Sequence, residues 1–138
     1  MPMAEPIGVP AILVVDDEPL VRASIVKILG GWGFQVREAE TIEEAMTVLT
    51  TFVRERPQLV IIDIILPDGN GIELARQVRE EVPAQPILYM SAYPRAVIAA
   101  KGLPEDEEFM TKPFDPPELV ARVEAALGRR RPAVDQRR

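Results

Sequence analysis

Short apolar runs alternate along this chain with longer stretches whose apolar residues recur every three or four positions. Ala11–Val15 ("AILVV") is wholly apolar and too short for a helix. It is bounded by Pro10 and by Asp16, Asp17 and Glu18, which predicts a buried strand. Pro19 suits a first helical position, and Val21, Ile25, Ile28 and Trp32 then mark one helical face, which Gly30, Gly31 and Gly33 bring to an end. Phe34–Glu38 alternates like a strand. Thr41 and Glu44 form a capping pair ahead of Ile42, Ala45, Met46, Leu49 and Val53, a second amphipathic helix that closes before Pro57.

The alternation continues. Leu59–Asp63 reads as a third strand, followed by a loop rich in Pro, Asp, Gly and Asn. A helix over about Gly71–Glu81 presents Leu74, Ala75, Val78 and Val82, and Pro83 ends it. Ile87–Met90 is a fourth strand. The helix after it, about Arg95–Lys101, is short because Gly102 and Pro104 break it. Glu107–Thr111 is a fifth strand, and Asp115, Pro116 and Glu118 open a last helix carrying Val120, Val123 and Leu127. Five β-α units with near-continuous apolar strands predict an α/β fold. The expected form is a doubly wound five-stranded parallel sheet, flavodoxin-like in its order 2-1-3-4-5, with five helices and a short, weak fourth. One domain is expected over residues 11–128, with an extension at 1–10 and a basic tail at 129–138.

Composition narrows the chemistry. The 138 residues include neither cysteine nor histidine, so disulfides, thiolate metal sites and Ser-His-Asp or Cys-His catalysis are excluded. A metal would need oxygen ligands, which favours a hard cation such as Mg2+, with Mn2+ as the alternative. No apolar stretch approaches the ~20 residues that span a bilayer. The start, "MPMAEPIGVP", lacks the basic and apolar regions of a signal peptide, so no membrane partner and a cytoplasmic location are expected. The last ten residues, "RRRPAVDQRR", carry a net charge of +4, which leaves −10 of the overall −6 on the remainder. An acidic body argues against nucleic acid as the main partner, and Arg129–Arg131 are read as cations at a helix C-terminus.

The polar residues then fall into place. Asp16 and Asp17 stand at the carboxyl end of the first strand, Asp63 at that of the third, Ser91 at that of the fourth and Lys112 at that of the fifth. Ligands of an open doubly wound sheet bind beyond these ends, where strand order reverses. Asp63 is the telling residue, because it interrupts the apolar run of "LVIIDIILPDGNG", where an unpaired carboxylate would be costly. Three carboxylates brought together repel, and with oxygen donors alone a divalent cation is the natural guest. Lys112 adds a charge and Ser91 a hydroxyl suited to phosphoryl oxygens, so a carboxylate there can act as a nucleophile toward phosphorus. Taken singly, an Asp at a strand end is usually a turn residue or helix cap, and Phe109 is more often core. Jointly, these residues converge on one edge.

Over about Ala11–Leu127 the chain resembles the receiver domain of two-component response regulators, through "ILVVDDEP", "LVIIDIILPDGNG", "ILYMSAY" and "FMTKPF". The resemblance implies that Asp63 accepts a phosphoryl group from phosphohistidine on a histidine kinase or histidine phosphotransfer protein. It implies Asp17 as a direct Mg2+ ligand, Asp16 acting mainly through water, and the Ile65 backbone carbonyl as a further ligand. Ser91 takes the place of the hydroxyl that moves toward the phosphoryl group, and Lys112 pairs with that group ahead of a cis bond to Pro113. Phe109 takes the place of the switch aromatic, without a hydroxyl for an outward hydrogen bond.

Some features depart from the usual pattern. The stretch "PRAVIAAKGLPEDEEF" makes a weak fourth helix, and similar sequences occur in receiver modules of hybrid histidine kinases. Ile65 and Tyr93 are bulky and non-acidic where attacking water would pass, so slow autodephosphorylation is expected. Such a domain uses roughly 120 residues, so no DNA-binding effector is expected in what remains. Output would then run through a downstream protein target or onward phosphotransfer, from a monomer or weak dimer. Two other readings stand beside this one. One is a receiver-like interaction module not regulated by phosphorylation. The other is a Mg2+-dependent phosphatase on a similar sheet, which would want a second acid where Ile65 stands.

Overall fold

The computed structural model describes residues 11–51 and 56–128. The expected extension at 1–10, the tail at 129–138 and Val53 of the second helix lie outside the described residues. The elements run β1 (Ala11–Val15), α1 (Pro19–Gly31), β2 (Gln35–Ala39), α2 (Ile42–Thr51), β3 (Leu59–Asp63), β4 (Ile65–Leu66) and β5 (Gly69–Asn70). They continue with α3 (Gly71–Glu81), β6 (Ile87–Ser91), α4 (Arg95–Ala99), β7 (Glu108–Thr111) and α5 (Pro116–Gly128).

Five strands pair in parallel in the order β2-β1-β3-β6-β7, which is 2-1-3-4-5 when only this sheet is counted. The apolar runs are explained by what covers the sheet. Successive strand residues point to opposite faces, and both faces are dry. Leu13, Val15, Val60, Ile62, Ile87, Tyr89 and Phe109 pack on one side against Ala45 and Leu49 of α2, Leu74, Ala75 and Val78 of α3, and Ile98 of α4. Ile12, Val14, Leu59, Ile61, Leu88, Met90 and Met110 pack on the other against Ile25 and Leu29 of α1 and Leu119, Val123 and Ala126 of α5. Each large apolar side chain among them contributes about 1.5–3 kcal/mol by leaving water, so the sheet is held from both faces.

Several boundaries differ from the sequence reading, each for a local reason. α1 continues through Gly30 and Gly31, and the chain turns only at Gly33, whose φ of +94° suits glycine. Trp32 therefore caps the helix rather than joining its apolar face, and it is 62% exposed. Leu29 takes the core position instead. β2 begins one residue late, at Gln35, with Phe34 packing at the edge of the core. The fourth helix is even shorter than expected, ending at Ala99.

The loop after β3 holds more order than its composition suggests. β4 and β5 form a small antiparallel ribbon, and Asp68 between them accepts hydrogen bonds from the Ile42 and Glu43 N–H groups at 2.9 and 3.1 Å. The start of α2 is thus capped from a distant loop as well as by Thr41, whose Oγ1 accepts from Glu44 N–H at 3.0 Å. The Glu44 carboxylate accepts from Glu40 N–H, one residue earlier than a standard capping box.

Candidate functional site

Strand order reverses between β1 and β3, which are neighbours in the register Val15↔Ile62. Asp16 follows β1 and Asp63 ends β3, so the crevice opens between their carboxylates. One carboxylate oxygen from each of Asp16, Asp17 and Asp63 lies within 4.8 Å of the others. Asp16 is fully buried and Asp63 nearly so, whereas Asp17 is exposed. Backbone donors hold the two buried groups: Asp16 Oδ1 accepts from Glu18 N–H at 2.8 Å, and Asp63 Oδ1 from Ile65 N–H at 3.0 Å.

Lys112 completes the cluster from the far side. Its N–H donates to the Ser91 carbonyl at 2.8 Å, extending the β6–β7 ladder by one bond, and its peptide bond to Pro113 is cis. The side chain turns inward, with Nζ 2.7 Å from Asp63 Oδ2, 2.7 Å from Glu18 Oε1 and 3.0 Å from Asp16 Oδ2. Burial alone would lower the pKa of this ammonium. The hydrogen bonds to Asp63, Glu18 and Asp16 outweigh it and hold the pKa above the usual lysine value. Burial pushes the Asp16 carboxyl up, and the charge of Asp63 adds to the rise; the Glu18 N–H and Lys112 oppose it. The cluster therefore carries one secure cation, and its most buried carboxylate is the one whose charge costs most.

A cleft of about 370 Å³ opens over these groups, lined by Asp17, Asp63, Ile65, Ser91, Tyr93 and Lys112 among others. Ser91 is buried at the end of β6, and its Oγ accepts from Tyr93 N–H at 3.0 Å. Ile65 and Tyr93 are about half exposed at the mouth. Phe109 lies away from the cleft. It pairs with Tyr89 in the register of β6 and β7 and is buried in the core that includes Ile98 and Leu103. The Arg95 guanidinium sits 5.7 Å from its ring centroid, within cation–π range. Arg95 also donates to the carbonyls of Pro104, Glu105 and Glu107 at 3.2, 2.6 and 2.8 Å, fastening the segment that follows the short α4.

The structure brings Asp17, Asp63, Ser91 and Lys112 to one cleft, sets Asp16 beneath them within the carboxylate cluster, and leaves Phe109 in the core. Some participants were not legible as such. Glu18 binds Lys112 across 94 positions, and no local signal marks such a pair. Gly71 packs on the main chain of Asp63, where a Cβ would overlap the Asp63 carbonyl oxygen; its N–H donates to the Ile64 carbonyl at 2.7 Å. A glycine closing "PDGNG" could have raised that suspicion.

Comparison with known proteins agrees with this fold. The family described as the response regulator receiver domain matches residues 12–124. The phosphate regulon transcriptional regulatory protein PhoB of Pseudomonas aeruginosa is 39% identical over 88% of this chain and 53% of that protein. The DNA-binding response regulator MtrA of Mycolicibacterium smegmatis is 38% identical over 86% of this chain and 50% of that protein. The chain thus spans about half the length of these curated relatives. One of them is named a transcriptional regulatory protein and the other a DNA-binding response regulator, so the expectation that nucleic acid is not a partner finds no support in the comparison. Among solved structures, a response regulator receiver protein from Sinorhizobium medicae superposes with a TM-score of 0.79 at 28% identity, covering 91% of this chain and 99% of the other. The receiver domain of the hybrid histidine kinase CckA gives a TM-score of 0.69 at 28% identity, covering 85% of this chain and 98% of that one.

Proposed function

The chain belongs to the response regulator receiver domain family, and on that premise we propose that it is a phosphorylation-dependent switch of a two-component system, accepting its phosphoryl group on Asp63. The observation that carries this reading is the meeting of Asp63 with Lys112 inside an acidic cluster at the switch-point edge.

Asp63 is held for attack. The Ile65 N–H fixes one carboxylate oxygen and Lys112 the other, so the group is oriented before a donor arrives. A carboxylate oxygen of Asp63 forms the new O–P bond as the P–N bond of a phosphohistidine breaks, and the imidazole leaves. The Lys112 ammonium stays charged and shifts to a phosphoryl oxygen, while the Ser91 hydroxyl donates to another. The oxygen-only donor set of Asp16, Asp17 and Asp63 fits Mg2+ or Mn2+, with the Ile65 carbonyl as a further ligand. When bound, the cation would neutralise charge on the transferring group.

The surroundings suit a protein donor. Leu20 is 84% exposed beside a second cleft that Lys112, Pro113 and Phe114 also line, and Ile65 and Tyr93 rim the first. An apolar rim around a polar centre favours docking by a histidine kinase or histidine phosphotransfer protein. Output runs through contact with a downstream protein or through onward phosphotransfer.

The test is to incubate the full chain with Mg2+ and acetyl phosphate or beryllofluoride, beside Asp63→Asn. A stable, Mg2+-dependent adduct absent from the variant supports the switch. No adduct would favour an interaction module that works without phosphorylation, and continuous phosphate release would favour a phosphatase.

A further inference from the structure

Arg22, in the first turns of α1, sends its guanidinium to acceptors on two other segments. Nη1 donates to the main-chain carbonyl of Asp16 at 2.6 Å, Nε to Glu38 Oε1 at 3.0 Å and Nη2 to Glu40 Oε2 at 3.3 Å. The Arg22 side chain is 11% exposed, whereas its two carboxylate partners are 45% and 57% exposed. Ion pairs so open to water contribute little as charge pairs. What a planar fork with three directed donors contributes is geometry.

That geometry acts on the acidic cluster. The Asp16 N–H is fixed by the Ala39 carbonyl at 3.0 Å and the Asp16 side chain by Glu18 and Lys112. The Asp16 carbonyl, which Arg22 holds, belongs to the rigid peptide unit that leads into Asp17. Its orientation therefore sets where the Asp17 main chain stands and where that carboxylate projects. Asp17 is exposed, unlike the buried Asp16 and Asp63 whose oxygens it must join.

We propose that Arg22 is a positioning residue for divalent-cation binding: by clamping the Asp16 carbonyl against β2, it holds the Asp16–Asp17 peptide so that Asp17 faces Asp16 and Asp63. This inference rests on the reading of the cluster as the cation site of the phosphotransfer switch.

Charge and geometry push in opposite directions here, and this separates them. Removing Arg22 takes away a cation and uncovers Glu38 and Glu40, so on charge alone a divalent cation should bind more tightly. If the residue positions Asp17, its loss weakens binding despite the gain in negative charge.

The experiment is titration calorimetry of Mg2+ into the full chain, comparing wild type, Arg22→Met and Arg22→Lys, with thermal melting of each in EDTA. Positioning requires both variants to bind Mg2+ about tenfold more weakly, the usual effect of losing an outer-shell partner. Lysine keeps the charge but not the fork, so it does not rescue. Mg2+ affinity in Arg22→Met equal to or tighter than wild type overturns the proposal, even where the EDTA melt shows lower stability. If Arg22→Met does not fold, Arg22→Lys decides by the same criterion. Wild-type protein that takes up no Mg2+ overturns the reading of the cluster itself, and the inference with it.

Discussion

Lys112 Nζ lies 2.7 Å from Asp63 Oδ2, across 49 positions of sequence, and the same ammonium reaches Asp16 and Glu18. A single cation thus offsets three carboxylates, two of them buried. Lys112→Met is expected to cost about 3 kcal/mol of stability in EDTA, because it leaves buried charge without a partner. Mg2+ should restore more stability to the variant than it adds to the wild type, since Lys112 no longer competes for Asp16 and Asp63. Urea unfolding with and without Mg2+ checks this. Equal Mg2+ increments in both proteins would show that the lysine and the cation do not share ligands.

Gly71 is expected to be the least replaceable glycine near the site. Alanine there would press on the carbonyl of Asp63 and on Ile62 and Ile64, so the end of β3 must move. A loss of about 2 kcal/mol is expected, together with slower adduct formation on Asp63. Gly30 provides the contrast. Nothing lies within 4 Å of its would-be Cβ inside α1, and alanine there should stabilise by about 0.5–1 kcal/mol. Denaturation curves of the two variants should move in opposite directions.

The side chains of Ile65 and Tyr93 flank the mouth of the cleft and offer attacking water neither an acid nor an amide. The phosphorylated protein should therefore be long-lived in the absence of a phosphatase. Ile65→Asn, which supplies an amide to orient water, should shorten the lifetime by roughly tenfold, or about 1.4 kcal/mol of barrier. Following decay by mass spectrometry after removal of acetyl phosphate measures both. A wild-type lifetime of a few seconds would contradict the expectation.

Tyr89 gives the protein a defined alkaline limb. Burial pushes its hydroxyl from 10.0 up to about 12, and the charge of Glu107 adds to the rise. Because the folded pKa is raised, the stabilisation is fully present below pH 10 and is lost as pH climbs toward 12, while the unfolded chain ionises first. On the order of 2 kcal/mol should disappear over that window and be absent from Tyr89→Phe. Unfolding measured between pH 9 and 12 distinguishes the two curves.

Much of this is legible in the sequence. β1, β3 and α3 begin and end where the apolar pattern places them, because their boundaries are marked by proline, glycine or an acid. The residues of the cleft were also readable, since a charge at the end of an apolar strand has few places to go in a parallel sheet. What escaped depends on partners far apart in sequence. Nothing near Glu18 announces Lys112, nothing near Asp68 announces α2, and nothing near Arg22 announces the Asp16 carbonyl. Trp32 misled for a different reason. Its spacing fits the helical face, but α1 ends just before it, so periodicity holds while the surface it should cover is gone.

The Asp68 cap has a consequence for how the cleft can respond to a bound phosphoryl group. One wall, from Asp63 to Gly71, is anchored twice in its latter part: to α2 through Asp68, and to α3 through Asn70, whose side chain accepts from Ile72 N–H at 2.7 Å. The opposite wall, Ser91 to Arg95, is tied at its start by Ser91, whose Oγ accepts from Tyr93 N–H and whose carbonyl accepts from Lys112 N–H, and at its far end by the Arg95 guanidinium. A shift of this second wall would reach, through Arg95, the segment that Arg95 fastens at Pro104, Glu105 and Glu107.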